Sequence, residues 1–157
     1  MEKPYFPVFI DMEDRTVLIV GAGKIALRRV RTLLHFSARI RVIAPDFCRE
    51  LEELEESGKI RAEHRAYLSG DIQGAAFVIA ATDSREVNRQ IQEECRVKRI
   101  PVNVADDRAL CDFYFPSVVM TDDAVIGIGS GGDAPGRTKE IRRKIEKALG
   151  ESGWYES

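Results

Sequence analysis

The chain has 157 residues, a formal net charge of −2, 44% hydrophobic and 32% charged residues. That length fits one full-sized domain, or one domain with a small appendage, and can bury a core without staples. The even mix of acids and bases gives no reason to expect nucleic acid as a partner, and no apolar run approaches the ~20 residues that span a bilayer.

The first residues, Met-Glu-Lys-Pro-Tyr-Phe, lack the apolar core of a signal peptide, so a cytoplasmic protein is expected. Cys48, Cys95 and Cys111 are far apart and odd in number, which argues against a disulfide framework and a C-x-x-C zinc site. His35 and His64 are the only histidines, so no His-rich metal centre is expected. No internal repeat or low-complexity segment interrupts the chain.

Phe6 to Ile10 is apolar and predicts an edge strand or lead-in, with Asp11 to Arg15 as the turn that follows. The run Val17 to Val20 is apolar across both faces, as in a buried parallel strand, and enters Gly21-Ala-Gly23 directly. Gly21 allows a sharp turn, and Gly23 allows a pyrophosphate to approach the backbone. Ala26 takes the third position of the G-x-G-x-x-G/A pattern, where a small side chain lets helix and strand pack closely. A helix beginning there aims free N–H groups and its dipole at a phosphate, so this stretch predicts a dinucleotide site. The alternative is a tight turn without a ligand.

Lys24 to Phe36 predicts that helix, with Ile25, Ala26, Val30, Leu33 and Leu34 at helical spacing. Arg28, Arg29 and Arg31 are interleaved and read as a solvated face in preference to an anion site. His35, at the helix end, reads as a surface or C-terminal helix residue. Arg39 to Ala44 is the second strand. Asp46, just beyond it, stands near where an acid faces the adenosine ribose and favours NAD over NADP. It equally suits the N-cap of a helix over Phe47 to Ser57, with Glu50 completing a capping box.

Lys59 to His64 and Ala75 to Ala81 predict a third and a fourth strand. The fourth ends in Thr82-Asp83, at the edge where open α/β sheets bind ligands; Asp83 with Glu86 also fits an acidic capping pair. A helix to about Lys98 follows, with Val87, Ile91 and Cys95 as its buried stripe, and then a fifth strand over Ile100 to Val104. This alternation implies an α/β fold, a Rossmann-like doubly wound parallel sheet. The pattern changes after Ala105. Cys111 to Pro116 opens a β-rich stretch, and Ser117 to Met120 and Ala124 to Gly129 predict antiparallel strands around Thr121-Asp122-Asp123. A second glycine cluster, Gly127 to Gly136, leads to a terminal helix over Arg137 to Leu149 with Ile141, Ile145 and Leu149 on one face. That cluster suits either an anion such as a carboxylate or a plain connector. The expected division is residues 1–107 as the dinucleotide-binding domain and 108–157 as the β-rich segment with its helix.

No G-x-S-x-G, Walker lysine or H-E-x-x-H motif is present. A nicotinamide enzyme needs only to place its substrate and manage protons. Asp106, two residues past the fifth strand, suits that work, although a turn role is the commoner one for such an acid. Asp107 and Asp112 are neighbours of the same type.

Together, Tyr5-Phe-Pro-Val-Phe-Ile-Asp11, Val17-Leu-Ile-Val-Gly-Ala-Gly23, Ala80-Ala-Thr-Asp83, Asn88, Val102-Asn-Val-Ala-Asp106, Leu110-Cys-Asp-Phe-Tyr-Phe-Pro116 and Ser130-Gly-Gly132 before Pro135 resemble the precorrin-2 dehydrogenase family. That family includes the N-terminal module of siroheme synthase, and the resemblance spans about Tyr5 to Leu149. It implies NAD-dependent oxidation of precorrin-2 to sirohydrochlorin, with iron insertion by some members. It further implies cofactor contacts at Gly21, Gly23, Lys24, Ile25, Pro45, Asp46, Thr82 and Asp83, and a catalytic role for Asp106. Ser130, with Gly131 and Gly132, would face substrate or serve regulation. A homodimer built through the β-rich segment is implied as well. Many members continue past the terminal helix into a region that helps cover the site, whereas this sequence ends at Ser157, so the expectation is a more open site or one completed by a partner. A bifunctional dehydrogenase–ferrochelatase and a non-catalytic NAD(H)-sensing module are the alternatives.

Overall fold

A computed structural model of the chain describes residues 5–130 and 135–149. Strands β1 (Thr16–Val20), β2 (Arg39–Ala44), β3 (Arg61–His64), β4 (Phe77–Ala80) and β5 (Val102–Val104) form one sheet in the order β3-β2-β1-β4-β5. All four pairings are parallel, with Val20 opposite both Ile43 and Ala80. Helices α1 (Lys24–Leu34), α2 (Arg49–Glu56) and α3 (Arg85–Lys98) connect strands, as the alternation predicts. Residues 10–113 hold this sheet as one compact unit.

Side chains alternate across each strand, so a parallel sheet of this kind needs two apolar faces. Leu18, Val20, Ile43, Val78, Ala80, Val102 and Val104 share one core cluster with Ile91 and Cys95 of α3. Val17, Ile19, Val42 and Ile79 point the other way and are equally buried, as are Ala26, Val30 and Leu33 of α1. Each large aliphatic side chain so buried contributes roughly 1.5–3 kcal/mol. Ile72 is wholly buried in the first cluster although it belongs to the polar connection between β3 and β4.

An ion network anchors that connection. Arg41 donates from Nε to Glu63 (2.6 Å) and from Nη1 to the Asp71 carbonyl (2.7 Å). Arg65 bridges Glu63 (2.5 Å) and both Asp71 oxygens (2.7 Å each). Arg41 and Arg65 hold the Glu63 carboxyl below the usual carboxylate range, and Arg65, with the Leu68 N–H and Arg41, does the same for Asp71.

The second unit comprises the described residues of Met1–Phe9 and Tyr114–Ser157. Here β6 (Ser117–Met120) and β7 (Val125–Ile128) pair antiparallel, Val119 opposite Ile126, and helix α4 (Pro135–Ala148) packs on β6. The Thr121 N–H reaches the Ala124 carbonyl (2.9 Å) to close the turn. The fold is therefore a Rossmann-like parallel sheet with a small antiparallel sheet and a terminal helix. None of its described helices is long and apolar enough to cross a membrane.

Several local expectations change. Phe6 to Ile10 joins no strand and stays exposed, because no described strand offers it a partner. Arg29 is not a solvated side chain: it lies three residues from Ala26 and four from Leu33, on their buried side, and burial lowers its guanidinium to about 10. On α4, Ile141 and Leu149 are exposed, while Glu146 is buried and paired with Arg142 at 3.3 Å. The unit turns its Arg142–Ile145–Glu146 side inward instead.

The ion network predicts an acid-side stability loss. Carboxylates with depressed folded-state pKa values stabilise fully above their unfolded values, near ~4, and lose that contribution as pH falls through the folded ones. Asp71→Asn is expected to lower Tm at pH 7. The gap from wild type should then narrow as pH falls below ~4, where wild-type Asp71 also becomes neutral. Thermal melts across pH 3–7 check this, and a gap that stays constant would remove Asp71 from the stabilising network.

Candidate functional site

Because all five strands run parallel, the segments after β1, β2, β4 and β5 emerge at one edge of the sheet. Strand order reverses between β1 and β4, the switch point where such sheets open a crevice. Gly21 forms the turn there with φ +105°, and its N–H donates to the Ile43 carbonyl (2.9 Å). A Cβ on Gly21 would lie 2.2 Å from the Ala81 carbonyl oxygen, so the first glycine is demanded by both conformation and space. Gly23 differs. A Cβ there would meet nothing within 4 Å, and no side chain caps the helix that Gly23 begins.

These residues fit a dinucleotide. The first turn of α1 carries no acid, its N–H groups have no side-chain cap, and the space over Gly23 is open to an anion. Lys24 and Ile25 are exposed beside it, as are Pro45 and Asp46 past β2. Asp46 does not cap α2. The Cys48 N–H is held by the Ala22 carbonyl (3.1 Å), which draws the chain toward the glycine turn and makes Cys48 the N-cap. Asp46 is left at the strand end, with the Phe47 ring 4.4 Å from that of His64 next to it.

Past β4, Thr82 and Asp83 reach the same edge. Asp83 is not the cap of α3 either; Ser84 is, its hydroxyl accepting from the Val87 N–H (3.3 Å). The shift by one residue follows from Thr82, whose hydroxyl accepts from the Ser84 N–H (3.2 Å) and lies 2.7 Å from Asn88 Oδ1. Asn88, 1% exposed, also donates to Asp106 Oδ1 (2.9 Å).

Asp106 lines an open cleft of about 330 Å³ together with Arg85, Asn88, Arg89, Val104, Asp107 and Leu110. Its other oxygen is 3.8 Å from Arg85 Nε. The neighbouring acids have structural work: Asp107 accepts from the Ala109 N–H (3.0 Å), and Asp112 accepts from the Val102 N–H (3.0 Å). Cys111 is tied to the Val104 carbonyl (3.2 Å), and burial pushes its thiol up; Cys95 is pushed up to about 12 by burial in the core. Among the described residues no group of three or more His, Cys, Asp or Glu could hold a metal ion. Ser130 follows β7 in the second unit and is half-buried; Gly131 and Gly132 lie outside the described residues.

Residues 8–117 match a family model described as "Putative NAD(P)-binding". The chain belongs to this NAD(P)-binding family. The NAD(P)-binding chain is also 44% identical over 142 residues to a siroheme synthase of Ectopseudomonas mendocina, covering 90% of this chain and 30% of that protein. A siroheme synthase of Pseudoalteromonas atlantica is 37% identical over 145 residues, 92% of this chain and 31% of that one. The chain therefore spans about 30% of the length of the siroheme synthases it matches. Among solved structures, "SirC, precorrin-2 dehydrogenase" superposes with a TM-score of 0.76 at 28% identity, over 92% of this chain and 71% of that one.

What the residue reading lacked was the partner set of Asp106. Arg85 and Arg89 carry no motif, and Asn88 is visible only as one position of a family pattern.

The two glycines predict different failures. Gly21→Ala should lower Tm by several degrees or prevent folding, since its Cβ meets backbone. Gly23→Ala should melt close to wild type yet bind NAD⁺ roughly tenfold or more weakly, because its methyl enters the anion's space. Melting and NAD⁺ titration check both; a Gly23→Ala protein that binds NAD⁺ normally would put the pyrophosphate elsewhere.

Proposed function

We propose that the chain oxidises precorrin-2 to sirohydrochlorin with NAD⁺, as a cytoplasmic homodimer. The observation that carries this reading is the Asp106 carboxylate, held by Asn88 on the same sheet edge as the Gly21–Gly23 turn. The likeness to siroheme synthases and to a precorrin-2 dehydrogenase supplies the substrate.

Gly21, Gly23, Lys24 and Ile25 would hold the pyrophosphate, and Pro45 and Asp46 the adenosine ribose. Asp46 at the end of β2 would accept from a ribose hydroxyl and repel a 2′-phosphate, which favours NAD over NADP. Thr82 and Asp83 would line the cofactor on its β4 side. Bound NAD⁺ supplies the hydride acceptor. The protein then has to receive one proton for each hydride removed, giving sirohydrochlorin, NADH and H⁺. Asp106 Oδ1 accepts from the Asn88 amide, so Oδ2, 3.8 Å from Arg85 Nε, is assigned as the oxygen that takes the proton. Arg85 and Arg89 flank it on one face of α3, where they attract the substrate's carboxylates. Ser130, with Gly131 and Gly132, is assigned to substrate carboxylates as well.

Anaerobic turnover of precorrin-2 tests the reading. Wild type should form sirohydrochlorin faster with NAD⁺ than with NADP⁺. Asp106→Ala should lose ~100-fold or more in kcat while still binding NAD⁺. If a folded wild-type protein binds NAD⁺ and turns nothing over, the NAD(H)-sensing alternative replaces the enzyme.

The dimer rests on the second unit. A two-stranded sheet is marginal by itself, and Phe6 (89%), Val8 and Phe9 (73%) leave apolar surface in water. Sedimentation equilibrium at micromolar protein should give twice the chain mass, and a monomer at every concentration would remove the homodimer from the reading.

A further inference from the structure

We propose that Asn88 is a positioning residue that fixes the Asp106 carboxylate against the cofactor-side turn and decides which of its oxygens works. This rests on the reading of Asp106 as the proton-accepting group.

Asn88 lies in the first turns of α3, 1% exposed, and its side-chain amide is fully used. Oδ1 accepts from the Thr82 N–H (3.1 Å) and faces the Thr82 hydroxyl (2.7 Å). Nδ2 donates to the Thr82 carbonyl (3.1 Å) and to Asp106 Oδ1 (2.9 Å). One side chain therefore spans the ends of two adjacent strands, β4 and β5. The amide has only one workable orientation. The Thr82 N–H is a donor and demands the oxygen, while the Asp106 carboxylate is an acceptor and demands the nitrogen.

That orientation has a chemical consequence. Asp106 Oδ1 is held as an acceptor by a buried donor, and Oδ2 is left to Arg85 Nε at 3.8 Å. The ion pair is no substitute for the amide: the Arg85 side chain is 91% exposed and screened by solvent. Without Asn88 the carboxylate is free to rotate, and its distance to the Thr82 turn is no longer set. A second acceptor at position 88 would have the same effect with no change of volume.

Steady-state turnover of precorrin-2 with NAD⁺, read together with NAD⁺ titration, tests this on Asn88→Ala, Asp106→Ala and the double variant. Asn88→Ala should lower kcat roughly tenfold or more with KM within about threefold, since ~1 Å of misplacement costs up to ~100-fold. The double variant should be no slower than Asp106→Ala, because Asn88 acts through that carboxylate. Asn88→Asp serves where the alanine variant does not fold. It keeps the volume and the acceptor for the Thr82 N–H but loses the donors toward the Thr82 carbonyl and Asp106, and sets a second carboxylate against Asp106. It should show the same kcat loss with NAD⁺ affinity within about threefold of wild type. Losses that multiply in the double variant, or an NAD⁺ affinity that falls as far as kcat, would overturn the positioning role. Full turnover by Asp106→Ala would fell the reading of Asp106, and this inference with it, by a result that needs no Asn88 variant.

Discussion

The close approach of two backbones, Gly21 against the Ala81 carbonyl, is the constraint on which the remaining architecture depends. Strands β1 and β4 pair in parallel up to Val20 and Ala80, and the pairing continues past the last strand residue, from the Ala81 N–H to the Val20 carbonyl (2.8 Å). The β4–β5 pairing likewise continues past its last strand residues, from the Ala105 N–H to the Ala80 carbonyl (2.9 Å). A side chain at position 21 would wedge this ladder apart at the point where strand order reverses. With glycine there, three loops are delivered to one edge at fixed heights. That edge is where an anion can meet the start of α1.

The polar residues at this edge divide into those that build it and those left open to solvent. Asp107 and Ser84 are committed to backbone N–H groups of their own turn and helix start, and Asp112 to the N–H of Val102 in β5. Asn88 is committed too, but one of its bonds ends on a carboxylate and not on backbone. Asp106 is therefore the acid in this group whose carboxylate is held by a buried side-chain amide. A buried amide with all its bonds made is stiff, since any rotation would strand a polar atom away from water. Such stiffness is what a proton-accepting group needs from its support.

Toward the β2–β3 end of the sheet, on the face that α3 covers, the ion network of Arg41, Glu63, Arg65 and Asp71 has no part in this edge. It fastens a loop that plants Ile72 in the core, and so seals the face on which α3 lies. Buried or half-buried ions of this kind hold a conformation in place through the cost of leaving one partner alone. The support of α3, and hence of Asn88, begins there.

The strands and most helices were legible because their signals are local. Four or five apolar residues in a row, a glycine pair and a 3.6-residue stripe each act over a single element. Gly21 and Gly23 were legible as a pair, but their difference in kind was not, because the Ala81 carbonyl that separates them is 60 residues away. The cap of α2 lay out of reach for the same reason, since Cys48 takes that position through its bond to Ala22; at α3 the cap falls on Ser84 through a local bond to the Thr82 hydroxyl. Arg29 looked solvated from its arginine neighbours, yet the helix turns it to the buried side. The sequence by itself determined the α/β order, the dinucleotide turn and Asp106 as a candidate. Only the tertiary structure decided which acid a buried amide holds, because the Asn88 amide that singles out Asp106 meets it across 18 residues of chain.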